Sequence, residues 1–67
     1  MFREYDVVEL AESLSDSLKA GTRGAIVMVY PAEQPEYEVE FVDGDGRTIE
    51  VRAVSPDKIR LVTGGAR

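Results

Sequence analysis

The chain has no cysteine, no histidine and no tryptophan among its 67 residues. Without cysteine it can form neither a disulfide bond nor a thiolate metal site. Without histidine it lacks both an imidazole ligand and a side chain whose ordinary pKa lies near neutral. We therefore expect no catalytic residue, no metal site and no cofactor.

Basic residues are also few. The sequence has 8 of them against 13 acidic residues, for a formal net charge of −5, which disfavours a nucleic-acid partner. No apolar run approaches the roughly 20 residues of a membrane span. The N-terminus turns acidic at once and lacks the apolar region of a signal peptide. We expect a soluble cytoplasmic protein with no membrane partner and no small-molecule substrate.

Length and hydrophobic periodicity together predict one small β-domain. A chain of 67 residues has room for a single thin core, which we place at residues 1–62, with a flexible tail at 63–67. Short runs rich in β-forming residues predict five strands: residues 5–10, 24–30, 36–41, 48–53 and 59–62.

The connections between these strands differ in length. The segment 11–23 is predicted to be a long loop whose Leu14 and Leu18 fold back as a lid. Because leucines recur at 10, 14 and 18, a helical period, a regular helix is the alternative. Ser55-Pro56-Asp57 is predicted to form a single turn. The strand 24–30 has no polar residue. This pattern is typical of a strand covered on both faces, and we expect Leu14 and Leu18 to supply the second cover.

Strict alternation of apolar and polar residues predicts the register of the third and fourth strands. Directly opposed residues of an antiparallel pair share a face, so we expect Phe41 to face Ile49 and Val39 to face Val51. These pairs centre on residue 45. The loop should therefore comprise three residues, with Gly46 in the left-handed conformation.

In this register Glu40 faces Glu50, and Glu38 faces Arg52. One interpretation is a solvated face that keeps the strands from pairing with other chains, and the other is an acidic docking surface for a basic protein. An open sheet face on so small a chain offers no desolvated pocket for acid–base catalysis. The candidate partner-binding face comprises five residues: Glu36, Glu38, Glu40, Glu50 and Arg52.

Other motifs favour structural interpretations. The segment 43–46 (DGDG) begins like a calcium-binding EF-hand loop, but Thr48 and Val54 occupy the positions where that loop needs glycine and glutamate. A turn is the better interpretation. We expect the tyrosines to pack at the rim of the core: Tyr5, Tyr30 and Tyr37.

The strand order resembles that of an SH3-like barrel, and the segment 19–27 (KAGTRGAIV) is similar to the glycine-led strand of KOW-type modules. Taken whole, the chain resembles a bacterial family of small proteins, the domain of unknown function numbered 4926. The resemblance is carried by residues 4–10 (EYDVVEL), 18–30 (LKAGTRGAIVMVY), 37–41 (YEVEF) and 59–61 (IRL). It implies an all-β, five-stranded SH3-like barrel with a long loop after the first strand. It implies no established activity and no site residue.

These observations predict a small acidic, non-catalytic protein-interaction module that binds another protein or itself. The acidic charge favours an accessory or neutralising role beside a basic neighbour in a bacterial two-gene module. The alternative function is nucleic-acid binding by a KOW-like barrel. That class of barrel carries a basic stripe with exposed aromatic residues, whereas the eight basic residues here are scattered along the chain.

Overall fold

The computed structural model describes residues 2–62, so the predicted tail at 63–67 lies outside the described residues. The strands are β1 (Val7–Leu10), β2 (Arg23–Tyr30), β3 (Glu36–Val42), β4 (Thr48–Val54) and β5 (Ile59–Leu61), with a 3-10 turn at Pro56–Lys58. The prediction of five strands and a turn before the last is confirmed.

All five strands form one antiparallel sheet in the order β4-β3-β2-β1-β5. The two outer strands of this order, β4 and β5, are not hydrogen-bonded to each other within residues 2–62. The fold is all-β and consistent with the predicted SH3-like barrel, left open between these two edges.

The core lies on one side of the curved sheet, which we call the inner face. Alternation along β3 turns Tyr37, Val39 and Phe41 inward, and all three are buried. The ring of Phe2 packs edge-on against Tyr37, with ring centroids 5.2 Å apart at 88°. The core cluster comprises Val8, Leu10, Leu18, Ile26, Tyr37, Val39, Phe41, Val54 and Ile59.

The loop between β1 and β2 closes over this core. Leu18 is fully buried and Leu14 packs against the cluster. The loop is held by its own hydrogen bonds, since the Leu14 N–H donates to the Leu18 carbonyl at 2.8 Å and the Leu18 N–H donates to Ser15 Oγ at 3.2 Å. It contains no helix. The predicted lid is confirmed.

The first strand is shorter than expected because Tyr5 lies in a turn. Its φ is +73°, and the Asp6 N–H donates to the Arg3 carbonyl at 3.1 Å. A positive φ at the third position of such a turn is the type II pattern, which normally requires glycine or asparagine. The strand therefore begins at Val7.

The prediction that β2 is covered on both faces is wrong. Ile26 is buried, but Val27, Met28 and Tyr30 are 39%, 46% and 42% exposed. The leucine of the lid enters the inner face, where the core already lies, and so the opposite face of β2 stays open. Val27 also lies at a bulge between Ile26 and Met28, where the pairing with β3 shifts by one residue.

The hairpin between β3 and β4 has the predicted three-residue loop. The Asp43 N–H donates to the Arg47 carbonyl at 2.9 Å, and the Gly46 N–H donates to the Asp43 carbonyl at 3.0 Å. Gly46 has a φ of +84°, the left-handed conformation that glycine adopts without steric cost.

The predicted register beyond this loop is wrong. Phe41 faces Glu50 and Val39 faces Arg52, because the pairing shifts between Phe41 and Val42. Ile49 is the extra residue on β4, and a single extra residue moves every following side chain to the other face. Val51 therefore lies on the side away from the core, 48% exposed, and the bulge residue Ile49 is 37% exposed.

Burial at the end of β4 explains why the shifted register is stable. It places Val54 opposite Tyr37, where Val54 is 5% exposed and joins the core. From there the chain passes through the 3-10 turn to Ile59, which is also buried. The register predicted from alternation would turn Val54 away from this continuous contact.

Candidate functional site

The side of the sheet that faces away from the core, here called the outer face, holds three of the predicted site residues. Glu36, Glu38 and Glu40 alternate along β3 with the buried inner-face residues, so they project together from the central part of the sheet. We call them the glutamate column. Glu38 and Glu40 are half-buried, whereas Glu36 is exposed.

The other two predicted residues do not join this column. Glu50 and Arg52 stand opposite Phe41 and Val39, and opposed residues share a face. They therefore lie on the inner side of β4, at the rim of the core. Their side chains form an ion pair, with Arg52 Nε 3.0 Å from Glu50 Oε2 and each just over a third exposed. The predicted pairs of Glu40 with Glu50 and of Glu38 with Arg52 are not formed.

The glutamate column runs between two flanks of apolar side chains. On one flank, β4 places Val51 opposite Glu40 and Ala53 opposite Glu38. On the other flank, β2 contributes a further residue opposite each glutamate: Ala25 opposite Glu40, Met28 opposite Glu38 and Tyr30 opposite Glu36.

Sequence reasoning missed these flanks, although a signal for them was present. Met28 and Tyr30 belong to the run of β2 that contains no polar residue, and Val51 belongs to the alternating pattern of β4. Val7, opposite Ala25 on β1, extends the apolar surface by one more strand and is 48% exposed. An apolar run that is not covered within the domain is a surface available for contact.

Hydrogen bonds hold two of the three carboxylates in place. The Tyr30 hydroxyl donates to Glu38 Oε1, and the Thr48 hydroxyl donates to Glu40 Oε2 at 2.5 Å. The bond to Glu38 and the negative charge of that carboxylate raise the pKa of the Tyr30 phenol above its ordinary value. These bonds orient the carboxylates without neutralising them.

No cation of the described part of the chain pairs with the glutamate column. The ion pairs within residues 2–62 are Arg52–Glu50, Lys58–Glu12 and Arg60–Glu9. Lys58 Nζ lies 2.9 Å from Glu12, and this contact raises the pKa of Lys58. The structure thus pairs several of its basic side chains elsewhere and leaves three neighbouring carboxylates without a counter-charge.

The tyrosines divide into two groups. Tyr37 lies inside the core, at 1% exposure, and not at its rim. Tyr5 and Tyr30 are 79% and 42% exposed. The three tyrosines therefore do not form the common rim that was predicted.

Asp43, the first residue of the DGDG segment, holds the hairpin turn. Its Oδ1 accepts the backbone N–H of Asp45 at 2.8 Å and that of Arg47 at 3.0 Å. Over residues 2–62, no group of three acidic side chains is placed to hold a metal ion. The same residues contain no helix that is long and apolar enough to cross a membrane.

Comparison with known proteins gives one match. A family model described as a domain of unknown function (DUF4926) matches residues 4–61. No curated protein and no solved structure matches the chain. The comparisons thus supply a family and no activity.

Proposed function

The chain belongs to the family described as a domain of unknown function (DUF4926), and on that premise we propose that it is a non-catalytic protein-interaction module of the cytoplasm. Its outer face docks a partner protein that presents basic and apolar side chains together. The observation that carries this proposal is the glutamate column, which lacks a cationic partner within residues 2–62 and is flanked on both sides by exposed apolar side chains.

The apolar flanks argue for contact with a partner, beyond simple solvation. A face that only kept strands apart would carry polar residues across its width, whereas Met28, Tyr30 and Val51 are 46%, 42% and 48% exposed on this one. Protein interfaces commonly have such apolar and aromatic surface at their centre. The flanks supply area that a partner can bury, and the column supplies charge that selects it.

The spacing of the column defines the partner's chemistry. Alternate residues of a strand lie about 6.6 Å apart, so the three carboxylates form a row of that repeat. Burying Glu38 and Glu40 under a partner is favourable only if cations replace the water around them. We therefore expect a partner that places lysine or arginine side chains at a similar repeat, with apolar residues on either side.

The charge balance fits a neutralising or accessory role. A chain of net charge −5 attracts a basic protein over a distance and steers their encounter. In a bacterial two-gene module, a basic neighbour would be its natural counterpart. The carboxylates of the glutamate column lie on an open face and not in a cleft that could desolvate a substrate. The role proposed for them is therefore binding and not catalysis.

The alternative, nucleic-acid binding, has less support from the same face. Its exposed aromatic and thioether side chains, Tyr30 and Met28, stand opposite glutamates. Of the basic side chains, Arg60 is already paired with Glu9 at 2.8 Å. A phosphate backbone docked on this face would lie against the carboxylates of the glutamate column.

Affinity capture with matched baits tests the proposal. The baits are the wild-type chain, a face variant with Glu36→Gln, Glu38→Gln and Glu40→Gln, and a control variant with Glu4→Gln, Glu33→Gln and Asp45→Asn. Both variants remove three negative charges, and the control positions are exposed residues outside the column. Capture is repeated after nuclease treatment and at two salt concentrations.

We expect one protein to be captured by the wild-type chain and the control but not by the face variant, with capture weakening as salt rises. The purified pair should then bind in calorimetry, and Val51→Ser should weaken binding without changing charge. Equal capture by all three baits would overturn the docking face. Loss of capture on nuclease treatment would favour the nucleic-acid alternative.

A further inference from the structure

The free edge of β4 is a second recognition element, separate from the outer face. β4 ends the sheet order, and β3 is its sole paired strand within residues 2–62. It spans seven residues without proline. Within residues 2–62, no turn or loop donates a backbone hydrogen bond to residues 48–54. A strand edge of this length is a template for pairing with another chain.

The hydrogen bonding of the hairpin shows which backbone groups point outward. The Asp43 N–H is directed at β4, and residues of a strand alternate in the direction of their backbone groups. Phe41 and Val39 therefore also point toward β4, where they meet Glu50 and Arg52. The intervening residue of β4, Val51, must then direct its N–H and C=O away from the sheet.

We propose that this edge pairs with the same edge of a second copy, antiparallel, about a two-fold axis that passes between the two Val51 residues. In this arrangement each Val51 N–H donates to the Val51 carbonyl of the other copy. Glu50 of each copy stands opposite Arg52 of the other, so one self-complementary contact contains two charge pairs. The outer faces of the two five-stranded sheets become continuous across the junction.

The charges of β4 disfavour the two neighbouring registers. Centring the axis one residue earlier would place Glu50 against its own copy, and centring it one residue later would oppose Arg52 to Arg52. Like charges directly opposed across strands are destabilising. In addition, Glu50 and Arg52 direct their backbone groups toward β3. Neither residue can therefore form a backbone hydrogen-bonded pair with its own copy at the two-fold axis.

Side chains on the other face of β4 agree with the same register. With Val51 opposite Val51, Ala53 of each copy stands near the bulge residue Ile49 of the other. Val51 and Ala53 are exposed in the single chain, and they lie on the face opposite to Glu50 and Arg52. The charged pairs and these apolar side chains thus segregate to opposite faces, as in an ordinary antiparallel pair.

Sedimentation of the full chain tests the proposal, over a concentration range from micromolar to millimolar and at physiological salt. We expect a reversible monomer–dimer equilibrium. Val51→Pro removes an N–H that β3 does not use, so it should shift the equilibrium toward monomer by about tenfold or more. A wild-type chain that stays monomeric throughout the range would overturn the inference.

Charge reversal provides a second test that holds even if Val51→Pro unfolds the chain. Glu50→Arg alone and Arg52→Glu alone should each be monomeric, because like charges then oppose each other across the axis. Neither variant can form the internal Glu50–Arg52 pair. Mixed in equal amounts they should form a heterodimer, since the reversed residues complement each other across the junction.

Glu9→Arg and Arg60→Glu serve as the matched control. These residues form a comparable surface ion pair at 2.8 Å on β1 and β5, remote from the β4 edge in the sheet order. The two variants should dimerise as the wild-type chain does, alone or mixed. A mixture of the two β4 variants that associates no better than either alone would refute the proposed register. Because Glu36, Glu38 and Glu40 are intact in all these proteins, this outcome is separate from failure of the docking proposal.

Discussion

At Gly24 the backbone of β3 leaves no room for a side chain on β2. A Cβ atom built there would stand 2.6 Å from the Glu40 carbonyl oxygen and 2.8 Å from Val39 Cγ1. The first of these contacts is with backbone, which cannot move without disturbing the ladder. This close approach gives a physical reason for glycine at the head of β2.

We expect Gly24→Ala to destabilise the fold by about 1–3 kcal/mol, the usual cost of forcing extra atoms into a packed site. Gly44→Ala is the matched control, because a Cβ atom there has nothing within 4 Å and φ is not positive. It should be neutral or slightly stabilising. Urea denaturation of both variants measures the difference, and equal midpoints would contradict the close approach.

Tyr5 has a backbone conformation that suits glycine better than tyrosine. At a φ of +73°, any side chain meets the steric cost of the left-handed region, roughly 1–2 kcal/mol. Tyr5→Gly should therefore be more stable than Tyr5→Ala, the reverse of the usual order. At the adjacent Glu4, where φ is not positive, alanine should be the more stable of the two. Thermal melts that give the usual order at both positions would count against the turn at Tyr5.

The pair of Tyr30 and Glu38 gives a prediction about pH. Glu38 raises the pKa of Tyr30 through a hydrogen bond and its negative charge. Because the pKa is raised in the folded state, the protonated phenol contributes stability below its ordinary value of 10.0, and this contribution is lost as pH rises through the raised pKa.

Spectroscopic titration should detect the shift. The difference in phenolate absorbance between the wild-type chain and Tyr30→Phe isolates this one tyrosine. We expect its transition above pH 10.0 in the wild-type background and nearer the ordinary value when the same difference is taken in a Glu38→Ala background. A transition unchanged by Glu38→Ala would show that the pair is not formed.

At the scale of the strand, β4 is the element whose two faces are easiest to confuse. Val54 is 5% exposed on the inner face, and Val51 is 48% exposed on the outer one. Removing two buried methyl groups costs about 1.6 kcal/mol in transfer free energy, before any cavity is counted. We expect Val54→Ala to lose about that amount or more, and Val51→Ala to lose less than about 0.5 kcal/mol. Chemical denaturation compares them, and the opposite order would restore the register expected from alternation.

The hairpin shows how far a local pattern can be followed. Two observations pointed to a three-residue loop: the position of Gly46 and the parity of the flanking residues. Both are local, and the loop is confirmed. The bulge at Ile49 lies only three residues further on, but alternation of apolar and polar residues continues straight through it. What fixes the register there is the contact of Val54 with Tyr37, which is distant in sequence.

The prediction that β2 is covered on both faces was wrong for a related reason. A strand covered on both faces and a strand with one face open to a partner have the same sequence pattern. Leu14 and Leu18 fold back as a lid, as predicted, but they pack against the core cluster on the inner face and do not supply the predicted second cover of β2. Composition alone therefore could not show which apolar residues of β2 are buried in the core and which are exposed beside the glutamate column.

For the whole molecule, stability depends on a few large side chains. Phe41 is fully buried in a core of nine residues, and replacing such a ring by alanine typically costs about 3–5 kcal/mol. In a domain of 67 residues that approaches the entire free energy of unfolding, roughly 5 kcal/mol at the low end of the usual range.

We expect Phe41→Ala to be largely unfolded at room temperature by circular dichroism. Ile49→Ala is the matched control from the same hairpin, since Ile49 is 37% exposed, and it should melt close to the wild-type chain. A folded Phe41→Ala with a nearly unchanged melting temperature would show that the core lies elsewhere.

The bulge at Ile49 also determines where the chain can change length. Deleting Ile49 would leave Thr48 opposite Val42 and Glu50 opposite Phe41, so every inward side chain would stay inward. Deleting Val51 instead would shift the residues that follow it by one position. Their side chains would then point to the opposite face, and Val54 would leave the core. Length variation among relatives of this chain should therefore concentrate at position 49, and a sequence alignment that places its gap two residues later would match surface positions of one protein to interior positions of another.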